Sequence, residues 1–247
     1  MLKKERENEI ISLLKKSDGF ETVKNLCAKL YASESSIRRD LNSLEKQGLV
    51  NRIYGGAELI TLFSGVVDFQ TRSYHNSAEK KAIAEKAAKL VKDGDVLFLD
   101  SSSTTFYLAA ALMHKSSLTI VTNNVEIISL LSNSKAKVIS SGGILSRENR
   151  SCLVGSGAEQ TFENIFADTL FFSAKSLSDD GVISDCTLEE TAVRNCMIKN
   201  AKKKVFLCDY EKIGTYSPYR QCGLDDIDCL VCERDVSNVF GDKLTVI

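Results

Sequence analysis

Two adjacent arginines, Arg38 and Arg39, follow a short run of small hydroxyl residues near the start of the chain. A guanidinium group can donate two parallel hydrogen bonds to the edge of a guanine, and serine or asparagine can bind a phosphate or an adenine. The side chains that could make such contacts are Ser33, Ser35, Ser36, Arg38, Arg39, Asn42, Arg52 and Tyr54. We therefore expect this segment to enter a groove of double-stranded DNA, with Arg52 and Tyr54 near the backbone or the minor groove.

The apolar residues around the arginines predict the helix that carries them. Ile37, Leu41 and Leu44 recur at i, i+4 and i+7, so they share one face, and Arg39 points the opposite way. Ser33 stands where the hydroxyl of an N-cap can accept a hydrogen bond from the first turn. The spacing thus predicts a recognition helix with a buried apolar side and an exposed side that faces DNA.

Further elements around this helix complete a DNA-binding domain. Helices are also predicted over residues 3–16 and 23–30, from apolar residues at helical spacing. Leu49–Ile53 is predicted as a short strand that ends in a Gly-Gly turn. A charged pair alone is usually a solvated helix face. Three helices followed by a small wing, in this order, instead predict an α(+β) winged helix-turn-helix over residues 1–57.

A second set of polar residues follows the apolar run Val96–Leu99, which is typical of a buried parallel strand. The free N–H groups and the dipole at a helix start favour an anion there. An ordinary hydroxyl-capped helix would explain this loop equally well, and it lacks the glycines of a Walker or dinucleotide-binding loop. The loop consists of Asp100, Ser101, Ser102, Ser103, Thr104 and Thr105.

Other predicted strands also end in polar residues, or lead into a helix that begins with them. These residues are Asn123, Gly142, Gly143, Lys175, Asp185, Glu189, Asp209 and Lys212. In open parallel sheets, ligands bind outside the carboxyl ends of the strands. Each residue taken singly is more often just solvated. Together, the carboxylates suit the hydroxyl groups of a small phosphorylated polyol, and the lysines and the helix start suit its phosphate.

Strands and helices alternate through the rest of the chain. Such βαβ units predict an α/β fold with a mostly parallel sheet and helices on both faces. We expect three parts, which are the DNA-binding domain over residues 1–57, a linker over residues 58–77 and a second domain over residues 78–247.

The charge of the chain is uneven. The 247 residues carry a formal charge of −1, which excludes a polycation. Residues 1–57 hold 11 lysines and arginines against 8 acidic residues, or +3, and the remainder holds 21 against 25, or −4. A basic N-terminal segment followed by an acidic remainder is consistent with DNA contact through the N-terminal segment alone.

The 8 cysteines are scattered, and only Cys229 and Cys232 lie close together. Their odd offset in a predicted strand places the two thiols on opposite faces, so we expect reduced, buried thiols and no metal site. No apolar run approaches the ~20 residues of a membrane span, and no signal peptide opens the chain. We expect a cytoplasmic protein with no cofactor and no membrane partner.

The whole pattern resembles the DeoR family of bacterial transcription regulators, nearly from end to end. The segments that carry the resemblance are Ser35–Leu41, Leu44-Glu45, Arg52, Gly55–Ala57, Phe69-x-x-Arg72, Glu79-Lys80, Phe98–Asp100, Thr122-Asn123, Gly142-Gly143, Ser151-x-x-Val154-Gly155, Asp185–Met197 and Cys208-Asp209. The resemblance implies a repressor of a sugar uptake or catabolism operon, released from operator DNA by a sugar phosphate. It also implies a second domain that is related to ribose-5-phosphate isomerase, binds the effector through the polar strand ends and forms a homodimer or homotetramer.

Two positions depart from the family pattern. Ser102 stands where many members have glycine, and Lys175-Ser176 stands in a segment that often contains glycine. These departures bear on the backbone of the loop and on the choice of sugar.

Two other functions are consistent with parts of the sequence. A sugar-phosphate isomerase with a DNA-binding head would need catalytic carboxylates, but Phe172-Ser173-Ala174-Lys175 stands where related isomerases have Asp-Gly-Ala-Asp. Glu189 alone could hold the position of the base. A scaffold protein would leave both the arginine-bearing helix and the polar strand ends unexplained. We therefore predict a regulator without enzymatic activity.

Overall fold

The structure is a computed structural model that describes residues 3–17, 20–46, 49–53, 55–59, 67, 69–240 and 244–247. The chain divides into two compact units, Met1–Gly65 and Val66–Ile247. No helix in the described ranges is both long and apolar enough to cross a membrane.

The first unit is a winged helix-turn-helix, as the sequence predicts. Its elements are α1 (Lys3–Lys16), β1 (Phe20–Thr22), α2 (Val23–Leu30), α3 (Glu34–Lys46), β2 (Val50–Ile53) and β3 (Gly56–Leu59). The strand β1 was not predicted, because three residues are too few to show an alternating pattern. It pairs antiparallel with β3, which therefore lies between β1 and β2 in a three-stranded sheet. The predicted glycine stop at Gly48 lies outside the described residues.

The core of the first unit consists of apolar side chains from all three helices. Ile10, Leu26 and Ile37 are fully buried in it. Asp40, on the inner side of α3, is also buried and accepts a hydrogen bond of 3.2 Å from Arg6 Nη2 of α1. This ion pair fixes the recognition helix against α1 and satisfies a carboxylate that would be costly to bury alone.

The second unit begins inside the segment that the sequence analysis treats as a linker. Its helices are α4 (Phe69–Tyr74), α5 (Ser77–Ala88), α6 (Ser103–Leu112), α7 (Val125–Leu131), α8 (Ser156–Glu163), α9 (Leu188–Lys199) and α10 (Ser237–Phe240). The ring of Phe69 in α4 packs edge-on against Phe106 of α6, with centroids 5.5 Å apart. Helix α4 is thus part of the second unit, although it falls within residues 58–77.

Most strands of the second unit form one parallel sheet. The strands are β4 (Val96–Leu99), β5 (Thr119–Thr122), β6 (Lys137–Ser140), β7 (Ile144–Leu145), β8 (Leu153–Val154), β9 (Ala167–Phe172), β10 (Ser176–Leu177), β11 (Val182–Asp185), β12 (Ala201–Leu207), β13 (Tyr219–Gly223), β14 (Cys229–Val231) and β15 (Thr245–Val246). The parallel sheet has seven strands in the order β15-β14-β12-β9-β4-β5-β6. The strands β7 and β8 form a hairpin, and β10, β11 and β13 form a small antiparallel sheet, neither of which was predicted.

Helices cover both faces of the parallel sheet, which confirms the predicted α/β fold. Two consecutive residues of β4 illustrate this, because their side chains point to opposite faces. Leu97 lies in the core cluster with residues of α5, α6 and α7, whereas Phe98 lies in the cluster with residues of α8 and α9. Cys229 and Cys232 likewise lie in the two different core clusters, on opposite faces as expected.

The chain order reverses between β4 and β9 in the middle of this sheet. From β4 the chain continues to β5 and β6 on one side, and from β9 to β12, β14 and β15 on the other. The carboxyl ends of β4 and β9 therefore flank a topological switch point, where open parallel sheets bind their ligands.

Candidate functional site

The exposed side of α3 carries most of the residues expected to contact DNA. Ser33, Ser35, Arg38, Arg39 and Asn42 are exposed. Ser36 is half-buried, and its backbone N–H lies 3.4 Å from Ser33 Oγ, as expected for an N-cap.

The two arginines of α3 differ in their contacts. Arg38 Nη2 lies 2.7 Å from Glu34 Oε1 one turn earlier, so this charge is partly compensated. Arg39 Nε donates to the carbonyl oxygen of Ser35 at 3.2 Å. A neutral carbonyl leaves the charge of Arg39 in place, so Arg39 has the larger capacity to attract a base edge or a phosphate.

The wing is tied to the recognition helix through Arg52. Arg52 Nη1 donates to Asn42 Oδ1 at 3.1 Å and lies 3.8 Å from Glu45 Oε2, and its backbone N–H donates to Glu45 Oε1 at 3.1 Å. The exposed Arg52 side chain is thereby held beside α3. Tyr54 lies outside the described residues.

At the switch point, the loop that follows β4 forms a capped helix start. Ser102 is the N-cap of α6, with its Oγ 3.1 Å from the backbone N of Thr105. Ser103 Oγ donates to the carbonyl oxygen of Arg72 at 3.4 Å, which joins the loop to α4. Thr104 and Thr105 are fully buried. Arg72 is not among the site residues predicted from the sequence.

Asp100 shapes this loop from within the protein. Its carboxylate accepts hydrogen bonds from the backbone N of Ser102 at 3.1 Å, from Thr105 Oγ1 at 3.0 Å and from the backbone N of Ser173 at 3.2 Å. It also lies 3.1 Å from Arg194 Nε. These contacts engage both carboxylate oxygens with other groups of the protein, whereas the sequence suggested a direct effector contact.

Arg194 is the buried centre of this network. Its side chain reaches Asp185 Oδ2 through Nη1 at 3.0 Å, and it also donates to Gln221 Oε1 at 2.8 Å. Burial disfavours the guanidinium charge, but Asp185 and Asp100 outweigh that effect and raise the pKa of Arg194. Asp185 is thus brought to Asp100 through Arg194, which sequence reasoning missed.

Helix α9 presents Glu190 to the site, whereas Glu189 is exposed. Glu190 Oε2 accepts from Ser101 Oγ at 2.6 Å, and its Oε1 accepts from Asn149 Nδ2 at 3.1 Å. The sequence contained a signal for this, because Glu190, Val193, Arg194 and Met197 follow the i, i+3, i+4, i+7 spacing of one helix face. Lys175, which was also predicted to contact the effector, is exposed as well.

The predicted glycine pair opens the β7–β8 hairpin. Both Gly142 and Gly143 have positive φ angles, of 65° and 93°. A Cβ atom at position 143 would lie 2.5 Å from the carbonyl oxygen of Val154. The close approach of two backbone segments therefore accounts for Gly143 without a ligand.

A second polar cluster lies at the ends of β9 and β12. Lys212 Nζ donates to Ser173 Oγ at 2.8 Å and lies 3.2 Å from Asp209 Oδ2. Burial raises the pKa of Asp209, but the charge and hydrogen bond of Lys212 outweigh it, so the pKa lies below its usual value. Lys80 of α5 is buried close by and donates to the carbonyl oxygens of Arg72 and His75. Burial and the charge of Lys212 lower the pKa of Lys80 to about 8.

A winged helix-turn-helix is followed by a parallel-sheet domain with a cluster of buried polar residues at its switch point. This combination defines a class, that of DNA-binding regulators with a second, sensing domain. Comparison with known families agrees with both parts. Residues 6–62 match the DeoR-like helix-turn-helix domain, and residues 75–234 match the DeoR C terminal sensor domain.

Similar proteins span nearly the whole chain. The HTH-type transcriptional regulator GolR of Listeria innocua is 35% identical over 97% of this chain and 94% of its own length. The HTH-type transcriptional repressor GlcR of Bacillus subtilis is 31% identical over 99% and 93%. The Lactose phosphotransferase system repressor of Staphylococcus aureus is 30% identical over 95% and 94%.

The chain belongs to the DeoR family of transcriptional regulators, and it is a DNA-binding regulator rather than an enzyme. Among solved structures, ribose 5-phosphate isomerase A from Methanocaldococcus jannaschii is similar with a TM-score of 0.43 and 18% identity, over 56% of this chain and 55% of that one.

Proposed function

We propose that this regulator is a repressor of a sugar uptake or catabolism operon and leaves its operator when a phosphorylated sugar binds at the switch point. The observation that carries the proposal is the capped start of α6 between the ends of β4 and β9. There, free backbone N–H groups and the helix dipole favour an anion, and buried hydroxyl and amide side chains surround it. Two relatives are named as repressors, one of them as a Lactose phosphotransferase system repressor, and these names support repression rather than activation of transcription.

The arrangement of polar groups suggests how a sugar phosphate would be bound. The N-terminus of α6 would hold the phosphate, and Asn123, Glu190 and Asn149 would face the hydroxyl groups. Asp209 and Lys212 lie at the rim, and Asp100, Arg194 and Asp185 hold the loop in place. We further propose a homodimer or homotetramer, because a two-fold assembly would place two recognition helices on two operator half-sites.

The effector proposal predicts selective thermal stabilisation. The full-length protein is heated with a panel of pentose and hexose phosphates, each beside its unphosphorylated parent sugar. A phosphate that binds the folded protein at 100 times its Kd should add about 2.7 kcal/mol to the free energy of unfolding. The parents should have little effect, because the helix start and its donors would lack an anion. If no phosphate raises the melting temperature more than its parent does, the proposed effector class is wrong.

The DNA-binding proposal predicts a sequence-dependent role for Arg39. Arg39→Ala should weaken binding to an operator, selected by the wild-type protein from a random DNA library, by about 1–3 kcal/mol. Binding to unrelated DNA should weaken much less, because a base contact contributes only at the correct sequence. Fluorescence anisotropy at fixed salt measures both affinities.

A matched control removes the same charge from the second unit. Arg220 is exposed on β13, and Arg220→Ala should leave both affinities unchanged. If Arg39→Ala lowers the affinity for operator and for unrelated DNA equally, Arg39 contacts the DNA phosphate backbone and not a base.

A further inference from the structure

Buried polar atoms without a hydrogen-bond partner concentrate at one place in the described residues. Four of the five such side-chain atoms are Nε and Nη2 of Arg72, Oγ1 of Thr104 and Oδ1 of Asn123. Thr104 is 0% exposed and Asn123 is 2% exposed. An unsatisfied buried donor or acceptor costs about 1–3 kcal/mol, so three such residues near one loop call for an explanation.

Contacts of the neighbouring residues place Arg72 and Asn123 at the start of α6. The carbonyl oxygen of Arg72 accepts from Ser103 Oγ at 3.4 Å. On the other side, Asn124 Nδ2, next to Asn123, lies 3.4 Å from the carbonyl oxygen of Ser102. Helix α4 and the end of β5 therefore both meet the first turn of α6, which holds Thr104.

The thiol of Cys152 lies beside Asn123 in the same region. Cys152 Sγ lies 3.2 Å from Asn123 Nδ2. Burial raises the pKa of this thiol and the charge of Glu190 adds to the effect, while the charges of Arg194 and Arg72 oppose it. Arg72 is thus among the charged groups that act on this thiol, in agreement with the contact between Ser103 Oγ and the carbonyl oxygen of Arg72.

The carboxylates of this region are already engaged with other groups. Asp100 and Asp185 are paired with Arg194, and Asp209 is paired with Lys212. Glu190 accepts from Ser101 and Asn149. In the described residues, Arg72 forms no ion pair. Its guanidinium carbon lies 5.6 Å from the centroid of the Phe69 ring, and its charge contributes to lowering the pKa of Lys80. The site therefore holds a cation with two free, adjacent donors beside a helix start.

We infer that Arg72 is the principal cationic ligand of the phosphate group, donating from Nε and Nη2 to two of its oxygens at the N-terminus of α6. Thr104 Oγ1 donates to the same group, and Asn123 Oδ1 accepts from a hydroxyl of the same molecule. A planar guanidinium matches two phosphate oxygens in this two-donor fashion. The inference rests on the proposed function, and it names a ligand that α4 supplies instead of the sheet.

The position of α4 in the chain gives this ligand a second role. Helix α4 begins at Phe69, shortly after the wing strand β3 ends at Leu59. The effector would therefore bind to the first helix that follows the DNA-binding unit. Lys80, which holds the carbonyl oxygens of Arg72 and His75, would keep that helix in register with α5. Anion binding and the placement of α4 would then be coupled through one residue.

The test uses the full-length protein and two substitutions of Arg72. Inorganic phosphate and the panel of sugar phosphates are titrated by calorimetry into wild type, Arg72→Gln and Arg72→Lys. Charge-assisted hydrogen bonds contribute about 1.5–3 kcal/mol, so Arg72→Gln should raise the Kd at least about tenfold. Arg72→Lys keeps the charge without the paired donors, so its Kd should lie between that of the wild type and that of Arg72→Gln. Arg220→Gln, on the exposed β13, should bind as wild type does.

The melting temperature without ligand separates a binding role from a structural one. Because Nε and Nη2 of Arg72 have no hydrogen-bond partner among the described residues, Arg72→Gln should melt within a few degrees of the wild type. The sugar phosphate that releases wild type from operator DNA should no longer release this variant at the same concentration. Unchanged phosphate affinity in Arg72→Gln, or a large drop in melting temperature with binding intact, would overturn the inference and leave the proposed effector standing. Absence of phosphate binding in the wild type would overturn both.

Discussion

Arg194→Met should lower the free energy of unfolding of the second unit by about 3–5 kcal/mol, the usual cost of removing one partner from a buried ion pair. Arg194 is 3% exposed, and it compensates the buried carboxylate of Asp100 as well as that of Asp185. The methionine fills a similar volume, so the loss would measure uncompensated charge more than an empty cavity. Urea unfolding followed by circular dichroism measures the change.

Two further variants show whether charge is the cause. The double variant Arg194→Met with Asp100→Asn removes the carboxylate that would remain unpaired, and it should recover much of the loss. Arg220→Met replaces an exposed arginine and should change the free energy of unfolding by less than about 0.5 kcal/mol. A loss below about 1 kcal/mol in Arg194→Met would mean that Asp100 is adequately satisfied by its other hydrogen bonds.

The second large effect is alkaline destabilisation by buried thiols. Burial raises the pKa of Cys222 and of Cys232 to about 12, from an ordinary value of 9.0. Above pH 9 the unfolded chain loses these protons while the folded protein keeps them. Stability from the thiols is therefore full below about pH 9 and is lost as the pH rises toward 12. One pKa unit corresponds to about 1.4 kcal/mol, so each thiol could cost about 3 kcal/mol by pH 11.

Lys80 titrates in the same pH range and changes the free energy of unfolding in the opposite direction. The pKa of Lys80 is lowered from 10.5 to about 8, so between these values the unfolded chain binds the extra proton and stability rises with pH. The rise is complete by about pH 10.5, whereas the losses from the thiols continue. We expect a broad maximum near pH 9 and a steep fall above pH 10.

Urea unfolding in reducing buffer at several values from pH 8 to pH 11 measures this profile. Cys232→Ala should make the fall shallower, because one raised thiol pKa is removed, even if the variant is less stable at pH 8. A free energy of unfolding that stays level up to pH 11 would contradict the prediction.

The DNA-binding unit was largely predictable because its signals are local. The apolar spacing of Ile37, Leu41 and Leu44 defines the inner face of α3, and the same spacing places Arg39 outside. The strand β1 was missed because Phe20–Thr22 becomes a strand only through pairing with β3, some 35 residues later in the chain.

For the proposed effector site, the sequence indicated the polar strand ends but not how their side chains are paired. The rule that ligands lie beyond the strand ends located the loop at Asp100. It could not tell that this carboxylate faces Arg194, because that contact joins residues 94 positions apart. Glu190 could have been preferred to Glu189 from the face it shares with Met197. The proposed role of Arg72 had no signal in the sequence, because only the packing of α4 against α6 brings it near the start of that helix.

The pairing of β1 with β3 also fixes the wing before any DNA is bound. Thr22 lies opposite Gly56, and a Cβ atom at position 56 would lie 2.4 Å from the carbonyl oxygen of Glu21. The wing strand β3 is therefore paired with β1, which precedes the helix-turn-helix, as well as with β2. The conformational entropy of the paired strands is lost when the unit folds. The wing is thus a preorganised arm, and the DNA contacts proposed for it would contribute to affinity without an ordering cost.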